Sequence, residues 1–302
     1  MSHPDKRYFF LILPISLILA AQSCAFIPAP DPATVTVTAS ATAIDSATLT
    51  VTKTQALVTI APLNPTDSQP ADESSSNTSG ELRIGYPFSP SFVDYFNTVN
   101  LPTDYVAVGL PGLESISTLT VGQKVLMFGS VSRLKEYPEE VFSQVDTIGF
   151  DLERGAVPEE EQEDLVRTVQ EAAEFARMKN VKFMLAPVAR WTEQFGELLV
   201  PYADVIVMQM MRYQSDPVLC PEKISEFSRK LRAANPGLEI YVQFSTQRDE
   251  TPAQLFACID AVRDDIDGVW IQWHYRDEGG PKEGPPNFEE LQELIGLIRP
   301  QP

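Results

Sequence analysis

Histidine and cysteine are scarce in this chain, with two and three among 302 residues. His3 falls in a segment expected to be removed on export, which leaves His274 alone. A zinc or iron site built on clustered imidazoles and thiolates is therefore excluded, and no metal or other cofactor is expected. Basic residues are also few: 23 Lys and Arg face 42 Asp and Glu, a formal charge of -19. That balance excludes nucleic acid as a partner, since phosphate binding needs an excess of cationic side chains. Long apolar runs are lacking too. The run from Tyr8 to Ala21 covers about 14 residues, too short to span a ~30 Å hydrocarbon core comfortably. Nor is there a glycine-rich phosphate loop of the kind many doubly wound α/β folds carry. Cys220 and Cys258 leave two readings open: a disulfide in an oxidising compartment, or an unpaired Cys258 on the apolar side of a helix with Leu255, Ile259 and Val262.

What is present falls into three parts: a signal peptide over 1–23, a linker over 24–80 and a (β/α)8 barrel over 81–302. Lys6 and Arg7 precede the apolar run, and small residues follow it at Ala21 and Ser23, the layout of an export signal. Leu19-Ala20-Ala21-Gln22-Ser23-Cys24 resembles the lipobox of bacterial lipoproteins. The resemblance implies that Cys24 carries a lipid and anchors the exported protein to a membrane at the cell surface or in the periplasm. Ordinary secretion and an uncleaved anchor are the alternatives. From Ala25 to Gly80 the chain is rich in Thr, Ser, Ala and Pro, with no aromatic residue after Phe26. Such a segment cannot bury enough apolar area to offset the entropy of ordering its backbone, so it reads as a disordered spacer.

Beyond it, short β-type runs recur eight times: Leu82–Phe88, Tyr105–Leu110, Val125–Phe128, Thr147–Leu152, Lys182–Ala186, Val205–Met210, Ile240–Phe244 and Val269–Trp273. Amphipathic helices separate the later ones. Pro158 opens a helix running through Leu165, Val169, Ala172 and Ala176. Ile224, Phe227 and Leu231 mark another, closed by Asn235-Pro236-Gly237, and Asn287 caps the last. The first two crossovers lack convincing helices. Eightfold alternation of strand and helix predicts a parallel (β/α)8 barrel, with an open doubly wound sheet as the alternative.

Barrels of this kind place their chemistry at the carboxyl ends of the strands. Strand four ends Gly149-Phe150-Asp151-Leu152-Glu153, and alternation puts Asp151 and Glu153 on one face, with Cα atoms roughly 6–7 Å apart. Adjacent carboxylates repel, so one of the two holds its proton to higher pH, which is how a general acid is made. The plainer reading has both acids paired with Arg154 and other surface charges.

The stretch Asp146-Thr147-Ile148-Gly149-Phe150-Asp151-Leu152-Glu153 resembles the strand-four signature Asp-x-x-Asp-x-Asp-x-Glu of chitinase-type (family eighteen) glycoside hydrolases. Lys124-Val125-Leu126-Met127-Phe128-Gly129-Ser130 is similar to their strand-three segment. The resemblance implies an extracytoplasmic glycoside hydrolase acting on a polysaccharide or cell-wall glycan. In it Glu153 protonates the glycosidic oxygen, Asp151 steadies the substrate acetamide as it attacks the anomeric carbon, and Trp270 or Trp273 floors the sugar site. The pattern departs from the family at Gly149, where the middle Asp is missing. It departs again at strand six, where Met208-Gln209-Met210 is followed by Met211-Arg212-Tyr213. A non-catalytic barrel that binds a glycan or another polar or anionic ligand is the competing reading. Strand seven ends Gln243-Phe244-Ser245-Thr246-Gln247-Arg248, with no acid before Asp249, which disfavours a covalent glycosyl-enzyme route.

Two further patterns need no family. Gln209, Gln243 and Gln272 interrupt the apolar runs of three successive strands, where they either satisfy one another or meet a ligand. Arg133, Arg154, Arg190, Arg212, Arg248 and Arg276 lie just beyond strands three to eight. They either greet an anionic sugar or neutralise Glu153, Asp216, Asp249 and Asp277. Tyr86, Trp191, Tyr213, Trp273 and Tyr275 add aromatic faces suited to sugar rings, with His274 beside them.

The lipid anchor carries a direct test. Replacing Cys24 by Ser should move the protein from the detergent phase to the aqueous phase or block its processing. Unchanged partitioning would leave only secretion or an uncleaved signal anchor.

Overall fold

The computed structural model describes residues 81–273 and 288–299. The expected signal peptide, Cys24, the linker, His274, Tyr275, Arg276, Asp277 and Asn287 lie outside the described residues. Eight strands form: β1 Arg83–Pro87, β2 Tyr105–Val108, β3 Gln123–Phe128, β4 Thr147–Leu152, β5 Lys182–Pro187, β6 Val205–Gln209, β7 Glu239–Ser245 and β8 Gly268–Gln272. They coincide with the eight runs expected from the sequence. All pair in parallel and in chain order, and β1 closes on β8 through Arg83↔Gly268, Ile84↔Val269 and Gly85↔Trp270. The sheet is thus a closed (β/α)8 barrel, which removes the open-sheet alternative. The strands are apolar along nearly their whole length because both faces are covered, one by the barrel interior and one by helices.

The helices are α1 Val93–Val99, α2 Leu113–Ile116, α3 Val131–Leu134, α4 Glu139–Phe142, α5 Glu159–Gln162, α6 Leu165–Met178, α7 Ala189–Leu199, α8 Leu219–Ala234, α9 Pro252–Ala261 and α10 Phe288–Ile298. The first crossovers are as poor in helix as their sequences suggest. The helix expected as one piece from Pro158 is two, α5 and α6. The break falls at Asp164, whose non-helical backbone lets its side chain accept the Arg167 N–H (3.2 Å) and start α6 afresh. Cys220 on α8 and Cys258 on α9 form a disulfide, with Cα atoms 6.2 Å apart. Among the described residues no helix is long and apolar enough to cross a membrane.

Two apolar layers result. The outer one lies between strands and helices, and the inner one fills the barrel with Tyr105, Val125, Met184, Val205, Tyr241 and Trp270 among others. The inner layer fits large side chains against glycine. A Cβ at Gly85 would collide with the Trp270 ring, one at Gly268 with the Tyr241 ring, and one at Gly149 with Met127 Sδ.

The amino-terminal rim repeats one device four times. The residue preceding each even-numbered strand is Asp, and its carboxylate accepts a backbone N–H from the odd-numbered strand before it. Asp104 takes Ile84 N, Asp146 takes Lys124 N, Asp204 takes Phe183 N and Asp267 takes Ile240 N, each at 2.8 Å. Asp104 is fully buried, and Arg299 beyond α10 grips both its oxygens at 2.6 and 2.7 Å. Asp146, read above as the first residue of the chitinase-type signature, therefore belongs to this collar, at the end of β4 opposite Asp151.

Replacing Asp104 by Ala strands a buried guanidinium and two backbone donors. It should cost about 3–5 kcal/mol in urea denaturation, whereas Asp146→Ala, which removes an exposed member of the collar, should cost a small fraction of that. Equal costs would contradict the special role given to the Asp104–Arg299 pair.

Candidate active site at the carboxyl ends of the strands

Along β4 the inward positions are Thr147, Gly149 and Asp151, as strand alternation requires. Met127 from β3 occupies the space a side chain at 149 would need, so the missing middle Asp of the signature is replaced physically by a thioether beneath Asp151. The Gln209 side-chain amide at the end of β6 donates to Asp151 Oδ1 (3.2 Å) and to the Ala186 carbonyl (2.8 Å). Burial, and secondarily the neighbouring Glu153 charge, push the Asp151 carboxyl up to about 6, against the lowering effect of the Gln209 bond.

Glu153 follows one residue after β4. Its N–H donates to the Asp151 carbonyl (3.1 Å), and its own carbonyl accepts from Val157 N (3.1 Å). Gly155, at φ +94°, turns the chain back just beyond it. At the end of β3, Gly129 lets the same loop approach, because a Cβ there would stand 2.7 Å from the Ala156 carbonyl oxygen. The Glu153 carboxylate makes no ion pair with any described residue, and the exposed Arg154 does not reach it. Among the described residues, no cation neutralises Glu153.

Both carboxyl groups line a cavity of about 380 Å³ at the barrel mouth, together with Gln209, Gln243, Gln272 and Trp270. The three amides do not bond to one another. Gln209 serves Asp151, and Gln243 donates to Met211 Sδ at 3.5 Å. The expected self-satisfied amide network is absent among the described residues. Trp270 supplies the aromatic face, its ring seated over Gly85.

Three of the expected aromatic contacts lie elsewhere. Tyr86 is outward on β1, because Gly85 and Pro87 take the inward positions; its hydroxyl bonds Asn100 and its ring stacks on Phe96 at 4.5 Å. Trp273 faces outward by the same parity, donating its indole N–H to the Pro87 carbonyl (3.0 Å) and packing edge-on against Phe92 at 5.5 Å. Trp191 is buried on α7 in the outer layer. Of the two tryptophans offered by the resemblance, Trp270 is the one in the cavity, and counting parity back from Gln272 would have selected it.

The arginines also separate. Arg212 pairs with Glu193 and lies over the Tyr213 ring (4.5 Å), while the Tyr213 hydroxyl donates to Glu193 (2.6 Å). Arg212 and Tyr213 therefore hold each other rather than line the cavity. Arg190, Arg154 and Arg248 are exposed and away from its walls. Asp216, expected to balance a rim arginine, accepts the Val218 and Leu219 N–H groups (both 2.9 Å). Met127, Met184 and Met211 complete the wall; as apolar residues in apolar runs they carried no signal of a site. Among the described residues no group of three or more His, Cys, Asp or Glu side chains is placed to hold a metal ion. The arrangement offers instead a half-buried carboxyl with a raised proton affinity, an adjacent carboxyl at the mouth, amide groups and one indole face, a set suited to moving a proton to and from a polar ligand.

No protein-family model matches the chain, and no curated protein matches it. The chitinase-type resemblance thus has no family model behind it. Among solved structures the chain is similar to a triosephosphate isomerase from Bartonella henselae, with 8% identity, 64% of this chain and 92% of that one covered, and a TM-score of 0.46. It is similar to a glycoside hydrolase family 17 β-1,3-glucanosyltransferase from Rhizomucor miehei (13% identity, 64% and 87% covered, TM-score 0.43). It is also similar to a 3-keto-L-gulonate-6-phosphate decarboxylase from Vibrio cholerae (13%, 72% and 97%, TM-score 0.44). At these identities the likeness is one of barrel architecture and says nothing of the reaction.

Proposed function

We propose that the barrel is an extracytoplasmic glycoside hydrolase-like enzyme that cleaves a polysaccharide or cell-wall glycan with Glu153 as general acid and Asp151 as its partner. One observation carries the reading: a half-buried carboxyl, Asp151, is held by Gln209 beside Glu153 in an open cavity that an indole lines. Glu153 stands at the mouth, where it can give a proton to a glycosidic oxygen as the C–O bond breaks. Asp151 lies deeper, where it can accept the N–H of an acetamido group whose carbonyl oxygen closes on the anomeric carbon. The end of β7 supplies the cavity with Gln243 and no acid. Glu250 beyond it is turned to Gln214 (2.7 Å). Both facts favour a substrate-assisted route over a covalent glycosyl-enzyme. The Cys220–Cys258 disulfide supports an oxidising compartment and hence export, and attachment through Cys24 completes this reading of the location.

The occupation of the Gly149 space by Met127 favours a second reading, in which the barrel binds a glycan without cleaving it. Kinetics separates the two. Glu153→Gln should cut turnover by about two to four orders of magnitude with substrate affinity nearly unchanged. Hydrolysis that survives intact in this variant would sink the enzyme reading, and the absence of hydrolysis of any glycan by the parent would favour the binding module.

Asp151 also predicts a stability signature. Its pKa rises on folding from 3.8 to about 6, so the native state favours the neutral acid. The associated stability is full below the unfolded pKa and is lost as pH rises through 6. Asp151→Asn should therefore be more stable than the parent at pH 7–8, by up to about 3 kcal/mol, with no gain below pH 4. A destabilised Asn variant at neutral pH would make Asp151 a structural residue.

A further inference from the structure

The strand register sets a single row of inward positions at the barrel mouth. Trp270 on β8 pairs with Gln243 on β7, and Gln243 pairs with Gln209 on β6. Residues in register on neighbouring parallel strands face the same side of the sheet. The row therefore runs from an indole through two carboxamides, and the Gln209 bond to Asp151 (3.2 Å) carries it on to the carboxyl pair. Trp270, Gln243, Gln209 and Asp151 all line the cavity of about 380 Å³.

The buried glutamines of this chain spend their hydrogen bonds differently. Gln214, 4% exposed, is satisfied throughout: its amide nitrogen donates to the Ser245 carbonyl (2.9 Å) and to Glu250 (2.7 Å), and its carbonyl accepts the Ser245 N–H (2.9 Å). It holds the loop after β6 to the end of β7. Gln209 gives its amide nitrogen to Asp151 and to the Ala186 carbonyl (2.8 Å), which leaves its carbonyl oxygen free among the described residues. Gln243 is only 8% exposed, yet no described residue bonds its carbonyl oxygen. Its amide nitrogen meets only Met211 Sδ at 3.5 Å, and a thioether is a weak acceptor. A buried amide without partners costs stability, and an apolar side chain of the same shape would avoid that cost. Gln243 nonetheless interrupts the apolar run of β7 at the one inward position between the indole and Gln209. A carboxamide there donates and accepts at once, as the edge of a sugar ring does.

We infer that Gln243 is a specificity-determining residue, whose carboxamide hydrogen-bonds two adjacent polar groups, one accepting and one donating, on the edge of a sugar ring held in the cavity beside Trp270. The inference rests on the glycan reading above and adds to it the residue that recognises the ring and the chemistry by which it does so. Its test pairs calorimetry with thermal unfolding, using a hexasaccharide of N-acetylglucosamine as the probe. All proteins carry Glu153→Gln, so that the probe stays whole. Gln243→Met, which keeps the shape of the side chain and removes the amide, should weaken binding by about tenfold or more, the worth of two lost hydrogen bonds. The same variant should unfold, without the probe, at the parent's temperature or above it. Gln247→Met, on the exposed loop after β7, should leave both quantities unchanged. A smaller loss of affinity in Gln243→Met overturns the inference while the glycan reading stands. A lowered unfolding temperature does the same, because it makes Gln243 a structural residue like Gln214. Failure of the Gln243-bearing protein to bind the probe at millimolar concentration overturns both.

Discussion

Each odd-numbered strand of this barrel begins beneath a carboxylate lent by the even-numbered strand that follows it. The four contacts, from Asp104, Asp146, Asp204 and Asp267, have the same length of 2.8 Å and the same place in the ladder. In each odd-numbered strand the first N–H donates to the backbone carbonyl of a collar Asp, and the second residue's N–H is the one an Asp carboxylate accepts; leaving such a donor without a partner is costly. The recurring Asp meets that need and at the same time fixes where each pair of strands starts. The Asp104–Arg299 pair extends the device to closure, since it ties the rim between β1 and β2 to the end of α10. Inside the rim, Glu239 joins Arg83 (2.8 Å), Lys182 (3.0 Å) and the Tyr105 hydroxyl (3.2 Å) into a plug across the barrel floor.

Once that register is set, the inward positions follow by alternation, and everything at the opposite mouth inherits them. Gly85 faces in, so Trp270 on the neighbouring strand can lay its ring over it and line the cavity. Gly149 faces in, so Met127 can fill the space a side chain there would need. Asp151 is then an inward residue with an apolar underside, one amide donor and a neighbouring carboxylate. That environment raises its proton affinity. The collar serves stability and the mouth is left for chemistry, the division expected of the two ends of this fold.

Much of this was legible beforehand, for identifiable reasons. The eight strands announce themselves because runs such as Val205–Met210 and Ile240–Phe244 are short, β-branched and bounded by turn residues. The carboxyl pair on β4 was legible because alternation alone places Asp151 and Glu153 together. The collar is hidden in the sequence, since a lone Asp before an apolar run looks like a turn residue and only its fourfold recurrence distinguishes it. Asp146 in particular was absorbed into a catalytic signature it does not serve. Tyr86 and Trp273 mislead for a related reason: they sit at strand ends near the mouth, but parity turns them outward into the layer beneath the helices. The Arg212–Tyr213–Glu193 cluster joins α7 to the loop after β6, a contact between segments about twenty residues apart that no local pattern encodes. The same holds for the disulfide, whose two readings only the packing of α8 against α9 could separate.

The central claim is that the fold holds Asp151 as an acid of raised proton affinity, coupled to Glu153, at an open mouth. Carboxyl-carbon NMR on protein labelled at aspartate measures this directly. The Asp151 resonance should titrate near 6 and should shift to lower pH in Glu153→Gln, where the neighbouring charge is gone. An Asp151 that titrates in the ordinary carboxylate range, and does so identically in both proteins, would contradict the account.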